Sequence, residues 1–440
     1  MEAIDEVPGE GNVDLDEVAP TKKGPRDRSF NPWRYALTDK AKALVAEAIG
    51  IVEAFEDHRA PRKRRRKERD QATFEATVEA ILCDLINHHV FDLPKRIYVS
   101  RSGQVLSAAA RYKAPAINKK LPDILDKVSK PEVDYVRQVK GYQGTFGVAA
   151  RTTIEPGERL LDRINTLGIT AKDIGQHPPA EIIYLRAPKT DPKVHPPLVN
   201  YTDTPSTDLF REQMRAINAW LADVDIGLDP DLMPGKPVRV DPRQRSLRRM
   251  FTRGKFSCGG RLYGGFWIPL NKQQREAALI IQGEAIVELD YGQMAPRLFY
   301  AMKGIQPPDK DLYAIPGYER QRDGIKKVMN SMFFRTSPIT QMPQGVRPKF
   351  ESKHDAVDVA AAIMAYHPGI ADLFFRGLGH EAQFMESEIM VAILLELIEL
   401  EIVALPIHDA ILVRESDAGD ARQVMLDVFK AKTGTIGYVD

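Results

Sequence analysis

Two aspartates each close an apolar run with β-type spacing: Asp290 ends AIVELD, and Asp409 sits at the tip of PIHDAILV. A carboxylate at the end of a strand is held rigidly at a sheet edge. Taken singly, such an aspartate reads as a turn residue or helix cap. Taken together, two of them can hold a pair of magnesium ions about 3.5 to 4 Å apart, one activating an attacking hydroxyl and the other neutralising a leaving phosphate. The matching positive charge lies between Gln321 and Phe334. At about 100° per residue, Ile325, Val328, Met329 and Met332 form an apolar stripe, while Arg322, Lys326, Asn330 and Phe334 form a column at four-residue spacing on the other side. Cations one turn apart suit the β- and γ-phosphates of a nucleoside triphosphate, and an aromatic two turns on suits a base or sugar.

These residues carry a resemblance. DYGQMAPR (290–297) resembles the DYSQIELR motif of family A DNA polymerases, the DNA polymerase I type. RDGIKKVMNSMFF (322–334) resembles their nucleotide-binding fingers helix, and PIHDAILV (406–413) their VHDE-type motif, in the same order and with similar separation. GKFSCGGRLYG (254–264) is similar to the Gly-Arg segment that precedes the first carboxylate in these enzymes and in phage-type single-subunit RNA polymerases. The motifs span roughly 250 to 415 and imply little about the first 200 residues.

The resemblance implies an α+β right-hand polymerase with palm, fingers and thumb. Asp290 and Asp409 would be the metal-binding carboxylates for two Mg2+ ions, with Mn2+ as a substitute and the Tyr291 carbonyl as a further ligand. Arg322 and Lys326 would bind the triphosphate, with Lys326 protonating the departing pyrophosphate. Phe334 takes the place of the family's tyrosine near the sugar. Arg261 would sit on the primer end, His408 beside the second carboxylate, and Arg253 and Lys255 on the primer–template. The implied partners are a DNA template, a nucleic-acid primer and nucleoside triphosphates, with a helicase or replicon protein as the kind of factor that would recruit the enzyme.

Departures from the DNA polymerase pattern bear on the substrate. The glutamate that excludes a 2′-hydroxyl in DYSQIELR corresponds to Ala295, and the glutamate after His-Asp corresponds to Ala410. Loss of the gate opens space beside the sugar, so ribonucleotides are expected to be tolerated, as in a primer-making or transcribing role. Three other readings stay open: a strict DNA polymerase of a mobile element, a non-catalytic nucleic-acid-binding scaffold and a two-metal nuclease.

The elements that must position these groups fit a 440-residue chain of two or three domains. Its net charge of +1 is a sum of opposed blocks. Residues 1–21 are acidic without a basic side chain, 59–69 (RAPRKRRRKER) are almost wholly basic, and 243–261 carry Arg243, Arg245, Arg248, Arg249, Arg253, Lys255 and Arg261 with no acid. Such blocks suit a polyanionic partner. Cys83 and Cys258 are read as inert thiols, and with no long apolar run or leader pattern the protein is expected to be cytoplasmic and off the membrane.

The expected layout is a disordered acidic tail (1–28), a mainly helical accessory or thumb-like region (29–200), a first palm part (201–299), fingers and palm helices (300–400) and a second palm part (401–440). Helices are expected over 38–56, 72–90, 207–222 with Thr207 as N-cap, 321–334, about 380–400 and 418–430. Hairpins are expected around Ser102-Gly103 and His408-Asp409. RLYGGFWIPL and AALIIQGEAIVELDYG read as strands.

Overall fold

The computed structural model describes residues 27–59, 64–93, 96–107, 110–143, 149–190, 196–235 and 238–440. The expected acidic tail lies outside them except for its last two residues, and so do positions 60–63 of the basic run. The described chain is mixed α/β and divides into two units, one of residues 27–181 with 239–241, the other of the remaining residues from 182 onward. The division falls before Ile183 rather than at 200, because residues 183–185 pair with a strand of the second unit.

In the first unit the chain forms β1 (Arg28–Ser29), β2 (Arg34–Ala36), α1 (Asp39–Arg59) and α2 (Glu68–Val90). The expected stripe of α1, Ala41, Leu44, Val45, Ala48 and Val52, is buried throughout, in one core with Val78, Ile81, Leu82 and Leu85 of α2. There follow β3 (Ile97–Val99), α3 (Gly103–Ser107), α4 (Leu121–Val128), β4 (Val136–Val139), β5 (Tyr142–Gln143), β6 (Ala149–Ala150), β7 (Thr152–Pro156), α5 (Glu158–Thr166) and β8 (Ile174–Gln176). The region is less helical than expected, since it carries a four-stranded sheet in the order β1-β3-β7-β4.

The hairpin expected at Ser102-Gly103 is a helix start instead. Leu106 N–H donates to the Ser102 carbonyl (2.9 Å) and β3 takes its partners from β1 and β7, so the serine opens a turn of helix rather than a chain reversal. The basic run is partly architectural as well. Arg66 pairs with Glu53 and Glu56 and lies over the Phe74 ring, 3.9 Å from its centroid.

The second unit runs β9 (Ile183–Leu185), α6 (Pro205–Asp223), β10 (Ile226–Leu228), β11 (Arg248–Thr252), β12 (Lys255–Tyr263), α7 (Lys272–Ala278), β13 (Leu279–Ile281), β14 (Glu284–Asp290) and α8 (Met294–Met302). It continues through α9 (Arg322–Phe334), α10 (Ala356–Tyr366), α11 (Gly379–Glu399), β15 (Leu405–Ile407), β16 (Ala410–Arg414) and α12 (Ala418–Thr433). Five strands form an antiparallel sheet in the order β10-β13-β14-β16-β15, and β12-β11-β9 form a second sheet.

Helix α6 buries Phe210, Met214, Ile217 and Leu221 as its spacing requires. Its cap is Thr204 rather than Thr207: the two threonines bond reciprocally in a capping box, and Pro205 starts the helix one turn earlier. Of the two stretches read as strands, only RLY lies in β12; GGFWIPL turns away from the sheet, and AALIIQGEAIVELD supplies the end of α7 and the β13–β14 hairpin. In α12, Met425 is buried and Leu426 only half-buried, one position from the expected face.

Helix α11 lies close over β12. Gly260 has φ +88°, and a Cβ there would come within 2.5 Å of Ser387 Oγ, so the paired glycines permit the approach. Trp267, fully buried, donates its indole N–H to the Pro406 carbonyl (3.0 Å) and thereby anchors β15. Among the described residues, no helix is long and apolar enough to cross a membrane. Cys83 and Cys258 are both buried, and burial pushes both thiols up.

Candidate active site

The ladder between β14 and β16 brings the two expected carboxylates together. Asp290 faces Ala410 across the ladder, and the Tyr291 amide reaches the Asp409 carbonyl at 3.3 Å. Asp409 and His408 are the two loop residues of the β15–β16 hairpin, closed by the Ile407–Ala410 pair. His408 has φ +57° where such a loop favours glycine, a conformation that costs about 1 to 3 kcal/mol in a non-glycine residue. Its ring lies edge-on to Tyr263, 6.0 Å between centroids.

Asp290 is half-buried, and its Oδ1 is buried without a hydrogen-bond partner. Burial first, and the Asp409 charge second, push its carboxyl up to about 7, against the opposing charge of Lys326. An oxygen in that state is stabilised by a cation. A pair of carboxylates is the donor chemistry that suits a hard divalent ion such as magnesium. Among the described residues no group of three or more His, Cys, Asp or Glu side chains is arranged to hold a metal, so a cation here would rely on the aspartate pair.

The last residues of the sequence, which the sequence reading left without a role, complete the frame of this turn. Tyr291 bridges Val439, Gly292 N–H donates to the Tyr438 carbonyl (2.9 Å), and Asp440 N–H donates to the Asp290 carbonyl (2.8 Å). The arrangement requires glycine at 292, where a Cβ would lie 2.4 Å from the Tyr438 ring. Arg297, the arginine of DYGQMAPR, donates to the Ile436 carbonyl (3.0 Å) and so holds this segment in place. Tyr291 itself is buried, its hydroxyl donating to the Met425 carbonyl.

Helix α9 presents the expected column. Ile325, Val328, Met329 and Met332 are fully buried, whereas Arg322 and Lys326 are exposed and Asn330 and Phe334 half-buried. The neighbouring Phe333 ring stacks on Phe299 of α8 at 3.6 Å and on Phe374 at 5.0 Å, which fixes the helix against α8, the helix that follows the carboxylate-bearing strand β14. The Phe334 ring covers Gly379, where a Cβ would come within 2.5 Å of it, and meets the His380 ring edge-on at 5.1 Å. Lys326 is within electrostatic reach of Asp290. Arg322 is bound side-on by Asp311, Nε to Oδ2 at 2.5 Å and Nη2 to Oδ1 at 3.2 Å, a partner not foreseen from sequence. Ala295 is half-buried in the first turn of α8, two residues after Gln293, whose φ is +63°.

The basic segment before the first carboxylate does not act as one surface. Arg249 is wholly buried, pairs with Glu388 (2.6 Å) and Ser387 (2.8 Å) and lies over the rings of Phe210 and Phe251. Arg245 donates to the Val224 and Ile226 carbonyls. Arg261, expected on the primer, holds Glu386 through Nε (2.6 Å) and Nη2 (3.0 Å), so it is committed to the β12–α11 contact. Arg253 and Lys255 are exposed where β11 turns into β12, although Arg253 also donates to the Gly377 carbonyl (3.1 Å). Arg253 and Gly254 both have positive φ, the signature of a type I′ hairpin loop. The comparisons with known protein families and with curated proteins found no match for this chain.

Proposed function

We propose that the chain is a template-directed nucleic-acid polymerase of the right-hand, family A type. The observation that carries the reading is the meeting of Asp290, at the end of β14, with Asp409, in the turn of the adjacent β15–β16 hairpin, together with an unpartnered, buried carboxylate oxygen and Lys326 within electrostatic reach. Asp290 and Asp409 would hold divalent ions, with the Tyr291 carbonyl as a further ligand. When bound, such ions lower the pKa of the attacking 3′-hydroxyl and neutralise the leaving phosphate. The protein's part is positioning and charge. Lys326 Nζ and the Arg322 guanidinium would draw the triphosphate towards the carboxylates, and Lys326 would donate a proton to the departing pyrophosphate.

In this reading the five-stranded sheet is the palm and α9 belongs to the fingers. Arg253 and Lys255 would contact the nucleic-acid backbone and His408 the primer end. Arg261 would act there only in company with Glu386. Ala295 has no side chain long enough to act as a steric gate beside the sugar, and Phe334 would take the place of the family's tyrosine there. Ribonucleotides are therefore accepted along with deoxyribonucleotides, in a primer-making or transcribing role. The test is extension of a labelled primer on a defined DNA template, with Mg2+ and with each ribo- or deoxyribonucleoside triphosphate supplied separately. The expected result is templated addition of both types, with Ala295→Glu selectively depressing the ribonucleotides. Absence of templated addition with either type would contradict the proposal.

A further inference from the structure

Asp311 has no part in the mechanism above, yet it binds the first residue of the proposed triphosphate-binding helix and is itself held by the backbone. It takes Arg322 side-on through both carboxylate oxygens. Burial opposes its ionisation, but the hydrogen bonds from Arg322 and from the Tyr313 amide (3.0 Å) hold its carboxyl below the ordinary range. The residue after it is clamped on both sides. Leu312 N–H donates to Gln293 Oε1 (3.0 Å), and the Leu312 carbonyl accepts from His367 Nε2 (2.8 Å). Gln293 stands three residues beyond Asp290, in the left-handed turn that opens α8. Two hydrogen-bonded links joined through the backbone, Gln293 to Leu312 and Asp311 to Arg322, thus connect the carboxylate turn to the first cation of α9.

An isolated surface ion pair contributes little to stability, so stability gives little reason for tethering its carboxylate twice over. The pair does order a long, half-exposed arginine before any ligand arrives. It occupies the Nε/Nη2 edge and leaves Nη1 without a hydrogen-bond partner among the described residues. An arginine held by one edge presents the other to a phosphate oxygen with less side-chain entropy left to lose.

We infer that Asp311 is a positioning residue for triphosphate binding, acting through Arg322. The inference rests on the polymerase reading. Steady-state primer extension with the full chain tests it, using ATP or dATP as the varied substrate and comparing wild type, Asp311→Asn, Asp311→Glu, Arg322→Ala and the Asp311→Asn/Arg322→Ala pair. Asp311→Asn is expected to raise KM for the triphosphate about tenfold with kcat within about threefold and KM for primer–template unchanged. Asp311→Glu should recover part of the loss, and in the Arg322→Ala background the asparagine should add nothing. An unchanged KM in an active Asp311→Asn protein, or full additivity in the double variant, would overturn the inference and leave the polymerase reading intact. A lowered KM would also overturn it, because the pair would then compete with the substrate. A wild type without extension activity would remove both.

Discussion

Each unit contains an aspartate withdrawn from water, and the two are treated in opposite ways. Asp84 of the first unit is fully buried and saturated: Arg28 grips both its oxygens at 3.0 Å, Arg34 lies at 3.3 Å, and the Asn31 amide donates at 2.9 Å. Asp290 of the second unit is less buried, yet it has an oxygen with no partner and a second carboxylate beside it. A buried carboxylate with all its hydrogen bonds made is architecture. One left short, on a rigid strand end and facing a like charge, stores free energy that a ligand can release.

The largest effect that would sharpen this contrast belongs to Asp84. Asp84→Ala leaves two arginines facing a buried void and should cost about 3 to 5 kcal/mol, read by urea denaturation. Loss of less than about 1 kcal/mol would mean that the network is dispensable and the contrast misplaced.

Next comes His367, a satisfied group that can be tested by pH. It is fully buried, its Nε2 donates to the Leu312 carbonyl, and its Nδ1 accepts from the Tyr300 hydroxyl at 3.0 Å. Burial holds its pKa below 6.5, with the nearby Lys310 adding to the shift. The folded state therefore prefers the neutral ring, so this stabilisation is present above pH 6.5 and is lost as pH falls below it. His367→Gln should lower stability at pH 8 by about 1 to 3 kcal/mol and flatten the acid limb of the profile. An unchanged limb would assign it to other groups.

Asp290 should behave in the reverse sense. Its raised pKa means that the stabilisation is present below 3.8 and lost as pH rises through about 7. In EDTA at pH 8, Asp290→Asn is accordingly expected to match or exceed the wild-type melting temperature. A marked drop would place Asp290 in the same structural class as Asp84.

The smallest effect concerns the exposed cation Lys255. Lys255→Ala should leave stability unchanged and reduce the slope of log affinity for nucleic acid against log salt by about one. An unaltered slope would remove Lys255 from the interface.

These contrasts also mark how far the sequence could be read. The stripe of α9 and the hairpin at His408-Asp409 were legible because period and turn chemistry act over a few residues. The helix cap was missed by one turn, since Thr204 and Thr207 are both capping residues and the choice between them lies in Pro205. Arg249 and Arg66 looked like phosphate-binding charge. Their burial depends on Phe210, Glu388, Glu53 and Glu56, which lie ten or more residues away, and charge patterning carries no trace of such partners. Asp311 and the segment ending in Asp440 escaped for the same reason, because the Asp311–Arg322 ion pair and the backbone bonds of the last residues to Asp290 and Gly292 join positions that only the folded chain brings together. The candidate carboxylates themselves were legible, since a strand end, as at Asp290, and a hairpin turn, as at Asp409, are local properties.

The central claim, that Asp290 and Asp409 form a divalent-cation site for nucleotidyl transfer, is tested most directly by single-turnover primer extension against magnesium concentration. Wild type, Asp290→Asn and Asp409→Asn should be compared at matched folded fraction. The account predicts saturable, magnesium-dependent product with the wild type and a loss of at least about a thousandfold, roughly 4 kcal/mol of barrier, in each variant. Product formation at wild-type rates by either asparagine variant, or no magnesium-dependent product from the wild type, would contradict it.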